Sequence, residues 1–480
     1  MKILYLTSEL SPLVSSGGLG EVAFSLPKAL RKAGIDIRVA LPKYKTMKAL
    51  ESCKLLYSNR INSFHYNLWE TRIPESEVTL YLIENDFFFG REHIYGYGDW
   101  EYEDNPARFS FFCNAILEAV EKLGWIPDII HCNDWQTAPA LGFLYTRLEN
   151  SPTWTYTSSL LTIHNLAFQG RYPSSRFNLT GLPCELLQPN CFEYYGDMNL
   201  LKGGILLADK INTVSPTYAL EIQTLEYGFG LDGILRTRSE DIHGILNGVD
   251  YNIWSPVKDP HILLNYSYQE LDKKSECKVD LQRKLNLQTS DVPLFGIVSR
   301  LYWQKGIDIL ISAFPEILRM ELQFIILGTG DPKYEKVLTE MQGIFTHNLR
   351  VVIGFDRSLA HKILAGCDFI VMPSRYEPCG LTQMYAMAYG TIPVVRRTGG
   401  LADTVKDLTP VNLRKKEATG ISFRPLTPKT IIRSVLESCE VFKNKNLMKE
   451  VRINGMARNF SWDNQSKHYI SLYEEIISQR

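Results

Sequence analysis

The sequence has almost no net charge: 52 lysines and arginines stand against 53 aspartates and glutamates. Nothing basic in so balanced a chain suggests a nucleic-acid partner. It also lacks a long apolar run, since no stretch reaches the roughly 20 residues that span a bilayer. The N-terminal MKILYLTSEL is broken by Thr7, Ser8 and Glu9 too early for a signal-peptide core. The nine cysteines are scattered, odd in number and without a CxxC pair, which argues for reduced thiols over a disulfide frame or a thiolate metal site. A cytoplasmic location is expected. The absence of HExxH, of Asp-x-Asp and of a histidine cluster argues against an obligatory metal, and no GxSxG or Cys/His signature points to an acyl-enzyme.

What is present describes a large globular protein. At 480 residues, with 45% apolar and 22% charged residues, the chain is long enough for two or three domains with substantial cores. The first forty residues read as a β-α-β unit. Lys2 to Thr7 is a buried strand, SSGGLG (Ser15 to Gly20) a turn, and Val22, Leu26, Ala29, Leu30 and Ala33 recur at helical spacing until Gly34 stops them. Ile35, Ile37, Val39 and Leu41 then alternate as a second strand. In the second half, FGIVSRL, LQFIILGTG, RVVIGF, DFIVMPS and TIPVVRR alternate with helical segments such as GIDILISAFPEILRM, SLAHKILAGC and LTQMYAMAYG. Strands alternating with helices predict a doubly wound parallel sheet. Two irregular stretches, Phe87 to Asn105 and Gln169 to Asp197, read as functional insertions. A break near ILNGVDYNIWSP (Ile245 to Pro256) separates two α/β halves, and the C-terminal tail is helical.

In open α/β sheets ligands bind beyond the carboxyl ends of the strands, so the polar groups there carry the chemistry. Gly17 and Gly18 follow the first strand and open a helix, which lets backbone N–H groups approach an anion; a tight turn without a ligand has the same pattern. Arg300 and Lys305, in SRLYWQKG, can clamp a diphosphate, and two cations also make an ordinary solvated helix end. PSRYEPCGLTQ (Pro373 to Gln383) sets Glu377 beside Gly380, Leu381 and Thr382 at a helix start, a carboxylate for sugar hydroxyls next to amides for phosphate. In isolation Glu377 is equally a capping or surface residue. His164 and Asp134, after two apolar strands, can bond sugar hydroxyls, or be a hydrogen-bonded core histidine and an N-cap.

These residues lie in blocks that resemble a known family. TIHNLAFQG, LLKGGILLADKINTVSPTYALEI, GILNGVDYNIWSP, SRLYWQKGID, PSRYEPCGLTQMYAMAYGTIPVVRRTGGLADTV and the terminal FSW are similar, in the same order, to bacterial glycogen synthases and plant starch synthases, glycosyltransferase family five. The resemblance implies a GT-B architecture, two Rossmann-like doubly wound parallel-sheet domains facing across a cleft. It implies residues 1–245 as the acceptor-side domain, 246–458 as the nucleotide-sugar domain and 459–480 as a terminal helix crossing back. It further implies metal-independent transfer of glucose, with retention, from ADP-glucose as substrate to the non-reducing end of an α-1,4-glucan such as glycogen or a malto-oligosaccharide. No cofactor, nucleic-acid or membrane partner is implied.

Carried over by position, Arg300 and Lys305 would hold the diphosphate, with Ser15, Gly17, Gly18, Cys379, Gly380, Leu381 and Thr382 around the donor. Glu377 and His164 would hold the donor glucose, with the His164 carbonyl facing the oxocarbenium-like carbon. Phe355 matches an aromatic position near the adenine. Tyr95, Asp134, Asn165 and Asn247 match positions near acceptor or sugar. The chain departs from the family at Ser15, where the glycine loop usually carries lysine. A lost charge-assisted hydrogen bond there removes about 1.5 to 3 kcal/mol. Two alternatives follow: a catalytically weakened glucan-binding paralogue that assists another synthase, and a transferase using UDP-glucose or a short primer.

Overall fold

The computed structural model describes residues 1–480 apart from Ala49, Glu51 and Asp99. The chain divides into two compact units, Met1–Gly248 with Trp462–Arg480, and Val249–Ser461.

The first unit is built on a nine-stranded sheet. Its strands are β1 (Lys2–Leu6), β2 (Asp36–Pro42), β3 (Lys54–Ile61), β4 (Phe64–Arg72), β5 (Thr79–Glu84), β6 (Ile129–Asn133), β7 (Ser158–Ile163), β8 (Lys210–Thr213) and β9 (Ile242–Gly244), in the order β9-β8-β7-β6-β1-β2-β5-β4-β3. Central β1 pairs in parallel with β2 and β6, and Ile3, Leu4, Tyr5 and Leu6 are all fully buried. A strand covered on both faces reads as a continuous apolar run, and KILYL does. Beyond the parallel strands expected from sequence, β4 runs antiparallel to both β5 and β3, giving the sheet a mixed edge. The first helix, Gly18–Lys32, buries Val22, Leu26, Ala29 and Leu30 on one face, and Gly34, at φ +91°, ends it. Only glycine takes up that backbone conformation without strain.

The two irregular stretches lie in this unit and are joined to each other. The Tyr172 hydroxyl donates to Glu101 at 2.5 Å, and Arg176 pairs with Glu103 at 2.6 Å. Asp99, in the first stretch, is outside the described residues. The terminal helix, Trp462–Ser478, belongs to the same core through Trp462, Tyr469, Leu472, Tyr473 and Ile476. A Cβ on Gly248 would come within 2.5 Å of the Trp462 ring, so the glycine is what lets the chain pass there.

The second unit carries a six-stranded parallel sheet. β10 (Leu294–Val298), β11 (Gln323–Gly328), β12 (Leu349–Ile353), β13 (Phe369–Met372), β14 (Ile392–Arg396) and β15 (Ile421–Phe423) are ordered β12-β11-β10-β13-β14-β15. Each strand but the short β15 comes from one of the β-rich runs in the sequence. Among the described residues no helix is long and apolar enough to cross a membrane.

Candidate active site

In the first unit the functional side chains follow β1, β6 and β7. The glycine loop after β1 closes around a buried carboxylate, Glu9, which is 4% exposed. Glu9 Oε2 accepts the backbone N–H groups of Ser16 (2.7 Å) and Gly17 (3.2 Å), and Oε1 accepts the hydroxyls of Ser16 (2.6 Å) and Tyr95 (2.8 Å). The anion met by the first loop amides is therefore the protein's own. The helix that follows begins at Gly18 with no side-chain cap, which leaves its first amides for another acceptor. A Cβ on either Gly17 or Gly18 would meet nothing within 4 Å, and Gly17, at φ −166°, is in extended backbone open to any residue. The fold itself does not ask for glycine at these two positions, and their bare backbone lies open to approach. Ser15, in the family's lysine position, is exposed.

At the end of β6, Asn133 is fully buried and accepts, on its Oδ1, the Tyr5 hydroxyl (3.0 Å) and His164 Nε2 (2.9 Å). Its own Nδ2 donates to the Leu6 carbonyl at 2.9 Å, which fixes the orientation of the amide. His164 therefore carries its hydrogen on Nε2. Burial pushes the His164 pKa down to about 3, so the imidazole is neutral near pH 7. Asp134 stands in left-handed backbone at φ +55° and accepts the His164 N–H at 2.7 Å. It is not the cap of its own short helix, where Asn133 holds that position. Burial lifts the Asp134 pKa to about 7, against the lowering effect of the His164 and Asn165 amides. Asp134 thus shapes the turn His164–Asn165, and Asn165 Oδ1 in turn accepts the Ala167 N–H at 3.1 Å. Asn247 is 6% exposed and its Oδ1 has no hydrogen-bond partner, the mark of a group that meets a ligand or water.

In the second unit the loops after β10 and β13 are stitched together. Lys305 Nζ reaches both oxygens of Glu377, at 2.8 and 2.6 Å, and the Ser374 hydroxyl donates to Glu377 Oε2 at 2.8 Å. Arg375 pairs with both oxygens of Asp308 at 2.6 and 2.7 Å, and its N–H donates to the Gln304 carbonyl at 2.8 Å. Gly306 makes this approach possible: it sits at φ +68°, and a Cβ there would lie 2.0 Å from the Pro373 carbonyl oxygen. On the other side of the loop a Cβ on Gly399 or Gly400 would meet the carbonyls of Glu377 and Cys379, each at 2.0 Å. Gly380, at φ +71°, leads into Leu381 and the helix Thr382–Ala388, and Gln383 Nε2 donates to the carbonyls of Cys379 (3.1 Å) and Gly380 (2.8 Å). Arg300 is exposed, with its guanidinium 5.8 Å from the Tyr302 ring centre, and Phe355 is 91% exposed just beyond β12. Among the described residues no group of three His, Cys, Asp or Glu side chains could hold a metal ion.

Sequence reasoning singled out the residues that end strands and missed those that orient them. Glu9, Asn133, Ser374 and Arg375 are such residues. A polar residue buried at a strand end, as in HCNDWQ and VMPSR, was the available signal for Asn133 and Ser374. Nothing local marks Glu9, whose partners lie 7 to 86 residues away.

Comparison with known proteins gives one answer for both units. A family model described as the starch synthase catalytic domain matches residues 2–237, and one described as glycosyl transferases group 1 matches residues 292–438. The glycogen synthase of Moorella thermoacetica is 41% identical over 100% of this chain and 98% of its own length. That of Geotalea daltonii is 42% identical, with 100% of both chains covered. Among solved structures, the catalytic domain of starch synthase IV from Arabidopsis thaliana, bound to ADP and acarbose, superposes with a TM-score of 0.90 at 31% identity over 99% of each chain. A sucrose-phosphate synthase from Thermosynechococcus elongatus, at TM-score 0.62 and 18% identity, shares the fold.

Proposed function

Since this chain belongs to the glycogen synthase and starch synthase family of GT-B glycosyltransferases, we propose that it moves glucose from ADP-glucose to the non-reducing end of an α-1,4-glucan with retention of configuration. The observation that carries the reading is the pair of part-buried Lys305 with buried Glu377 beside the helix start at Gly380–Thr382. It sets a cation, a carboxylate and backbone amides at the ends of two neighbouring strands, the three kinds of group that a sugar bound to a diphosphate needs.

As the bond between the anomeric carbon and the phosphate breaks, negative charge grows on the leaving diphosphate. Arg300 and Lys305 meet that charge, and because it is largest late in the step they stabilise the transition state more than the bound donor. This assignment calls on no metal, since two side-chain cations fill the role. Lys305 now shares its charge with Glu377, so the incoming diphosphate draws the ammonium away and frees carboxylate lone pairs for glucose hydroxyls. The amides from Gly18 onward and those near Leu381 and Thr382 add donors that cost no reorganisation. His164 enters neutral, with its Nε2 hydrogen committed to Asn133, and presents its backbone carbonyl to the oxocarbenium-like carbon. Phe355, costly to leave exposed, offers a face to the adenine. Asn247 and Asn165 remain for glucose or acceptor hydroxyls, and the attacking hydroxyl arrives on the face that the diphosphate leaves. The nine cysteines, all free thiols, support a reducing compartment, which we read as the cytoplasm.

Transfer of radiolabelled glucose to glycogen by the purified protein tests this, with ADP-glucose and UDP-glucose compared in the presence and absence of EDTA. Label incorporated from ADP-glucose and unaffected by EDTA is the expected result. Ser15 favours one second reading, a weakened paralogue that binds glucan. No transfer from either donor, with glucan binding intact, would establish that reading instead.

A further inference from the structure

Glu9 is assigned no role by the chemistry above, yet four donors close on its carboxylate. Each carboxylate oxygen accepts two donors: Oε2 the amides of Ser16 (2.7 Å) and Gly17 (3.2 Å), Oε1 the hydroxyls of Ser16 (2.6 Å) and Tyr95 (2.8 Å). Four acceptor sites are all that an ionised carboxylate has, so none remains for a ligand. Among the described residues no cation lies within ion-pair distance of it, although it is 4% exposed. A carboxylate buried without a counter-ion costs stability unless hydrogen bonds offset it, and here four donors from the loop and Tyr95 do so.

The bonds have a direction. Tyr95 spends its single hydrogen on Glu9, so the Ser8 hydroxyl, 2.8 Å away, donates to Tyr95. The Tyr44 hydroxyl, in turn, donates to the Ser8 carbonyl at 3.0 Å. The glycine loop is thereby fastened to the insertion that carries Tyr95, and Tyr95 itself is left with lone pairs only.

We propose that Glu9 is the positioning residue of the glycine loop. By holding the Ser16 and Gly17 amides it turns the loop so that the amides from Gly18 onward face outward to the donor's diphosphate, and through Tyr95 it ties that shape to the acceptor-side insertion. This rests on the reading that the loop meets the donor. Glutamine at position 9 keeps the geometry: its carbonyl accepts from both amides, and its NH2 group donates to the two hydroxyls, which rotate to receive it. Alanine keeps nothing.

The test is titration of the full-length protein with ADP, together with donor KM and kcat, for the wild type, Glu9→Ala, Glu9→Gln and Gly18→Ala. We expect Glu9→Ala to weaken ADP binding at least about tenfold, which corresponds to one charge-assisted hydrogen-bond network lost. Its donor KM should rise by a similar factor, and Glu9→Gln should stay within about threefold of the wild type. A merely structural role would lower the melting temperature and the active fraction without moving the dissociation constant of the folded protein. Binding by Glu9→Ala within about threefold of wild type overturns the proposal, as does Glu9→Gln weakened as far as Glu9→Ala, which would make the charge itself the agent. If Glu9→Ala does not fold, Glu9→Asp, one methylene too short to span the amides and Tyr95, takes its place with the same expectation. Wild-type protein that binds no ADP, or Gly18→Ala binding ADP as wild type does, removes the donor reading of the loop instead, and shows this without any change at Glu9.

Discussion

The two units hold their functional groups by different means. In the second, the grip is ionic and short: Lys305 on Glu377, Arg375 on Asp308, with Gly306, Gly399 and Gly400 letting backbone pass against backbone. In the first, it is a web of hydrogen bonds among groups that are mostly neutral, Tyr5, Asn133, His164 and Tyr95, around the carboxylates of Glu9 and Asp134. The difference matches what each half is asked to do in the proposed reaction. A diphosphate needs cations whose charge is already oriented, whereas a sugar ring and an oxocarbenium-like carbon need precisely directed dipoles and a histidine that stays neutral. Burial supplies the second requirement, since it depresses His164 and His131 alike to a pKa of about 3.

The largest effect expected from disturbing this contrast is at Glu377. Glu377→Gln keeps the volume and the Ser374 contact but loses the charge that Lys305 meets and that the proposed reaction offers to the sugar, and turnover should fall by at least about 100-fold, read as glucose transfer per folded protein. Turnover within a few-fold of wild type would take Glu377 out of the chemistry. Next, Lys305→Met strands a carboxylate whose side chain is 7% exposed, and should cost about 3 kcal/mol in unfolding of the second unit. The double variant Lys305→Met/Glu377→Leu should recover most of that stability while remaining inactive. If it does not, the pair contributes net stability of its own, beyond the cost of stranding one partner.

A smaller effect separates the units by pH. His131 and His164, both held near pKa 3, take up no proton in the folded state as pH falls, whereas the unfolded chain does below about 6.5. The first unit therefore loses about 2 kcal/mol between pH 6.5 and 5.5 from these two groups. Asp134 works the other way. Its raised pKa of about 7 means that its share of stability is present at low pH and lost as pH rises through 7, so acidification returns about 1 kcal/mol. Asp134→Asn should remove that compensation and steepen the acid loss of the first unit, seen in denaturant unfolding at the two pH values. An unchanged slope would mean that Asp134 does not titrate as its burial dictates. The smallest effect is at Gly17. Gly17→Ala should shift the melting transition by less than about 0.5 kcal/mol, because the methyl meets open space, and yet weaken ADP binding. Gly306→Ala, with φ +68° and a carbonyl 2.0 Å from the new methyl, should lower the stability of the second unit by more than about 1 kcal/mol.

How much was legible in the sequence also differs between the units. In the second, FGIVS, FIILG, FIVM and IPVV stand out as buried parallel strands, and Arg300, Lys305 and Glu377 follow within a few residues of strand ends. In the first, the half-exposed β3 and the antiparallel β4 were not singled out, since an edge strand packs on one face and lacks the apolar run that marks its central neighbours. The irregular stretches were read as functional insertions, but their junction through Tyr172–Glu101 and Arg176–Glu103 depends on pairs about 70 residues apart. Tyr95 matched a position near acceptor or sugar, and what the sequence did not show is the bond of its hydroxyl to Glu9. Asp134 was open between a cap and a group for sugar hydroxyls; the cap position falls to Asn133, and the Asp134 carboxylate holds the turn at His164.

By itself the sequence determined the succession of the buried parallel strands and their helices and the identity of the groups at those strand ends, because hydrophobic periodicity and post-strand position are local properties of a chain. Only the tertiary structure decided which donor closes on which acceptor: Lys305 with Glu377 across 72 residues, Tyr95 with Glu9 across 86, and Asn133 with His164 across 31. It also decided the charge states, since burial, which moves His164 to about 3 and Asp134 to about 7, is a property of the packed molecule that no stretch of sequence carries.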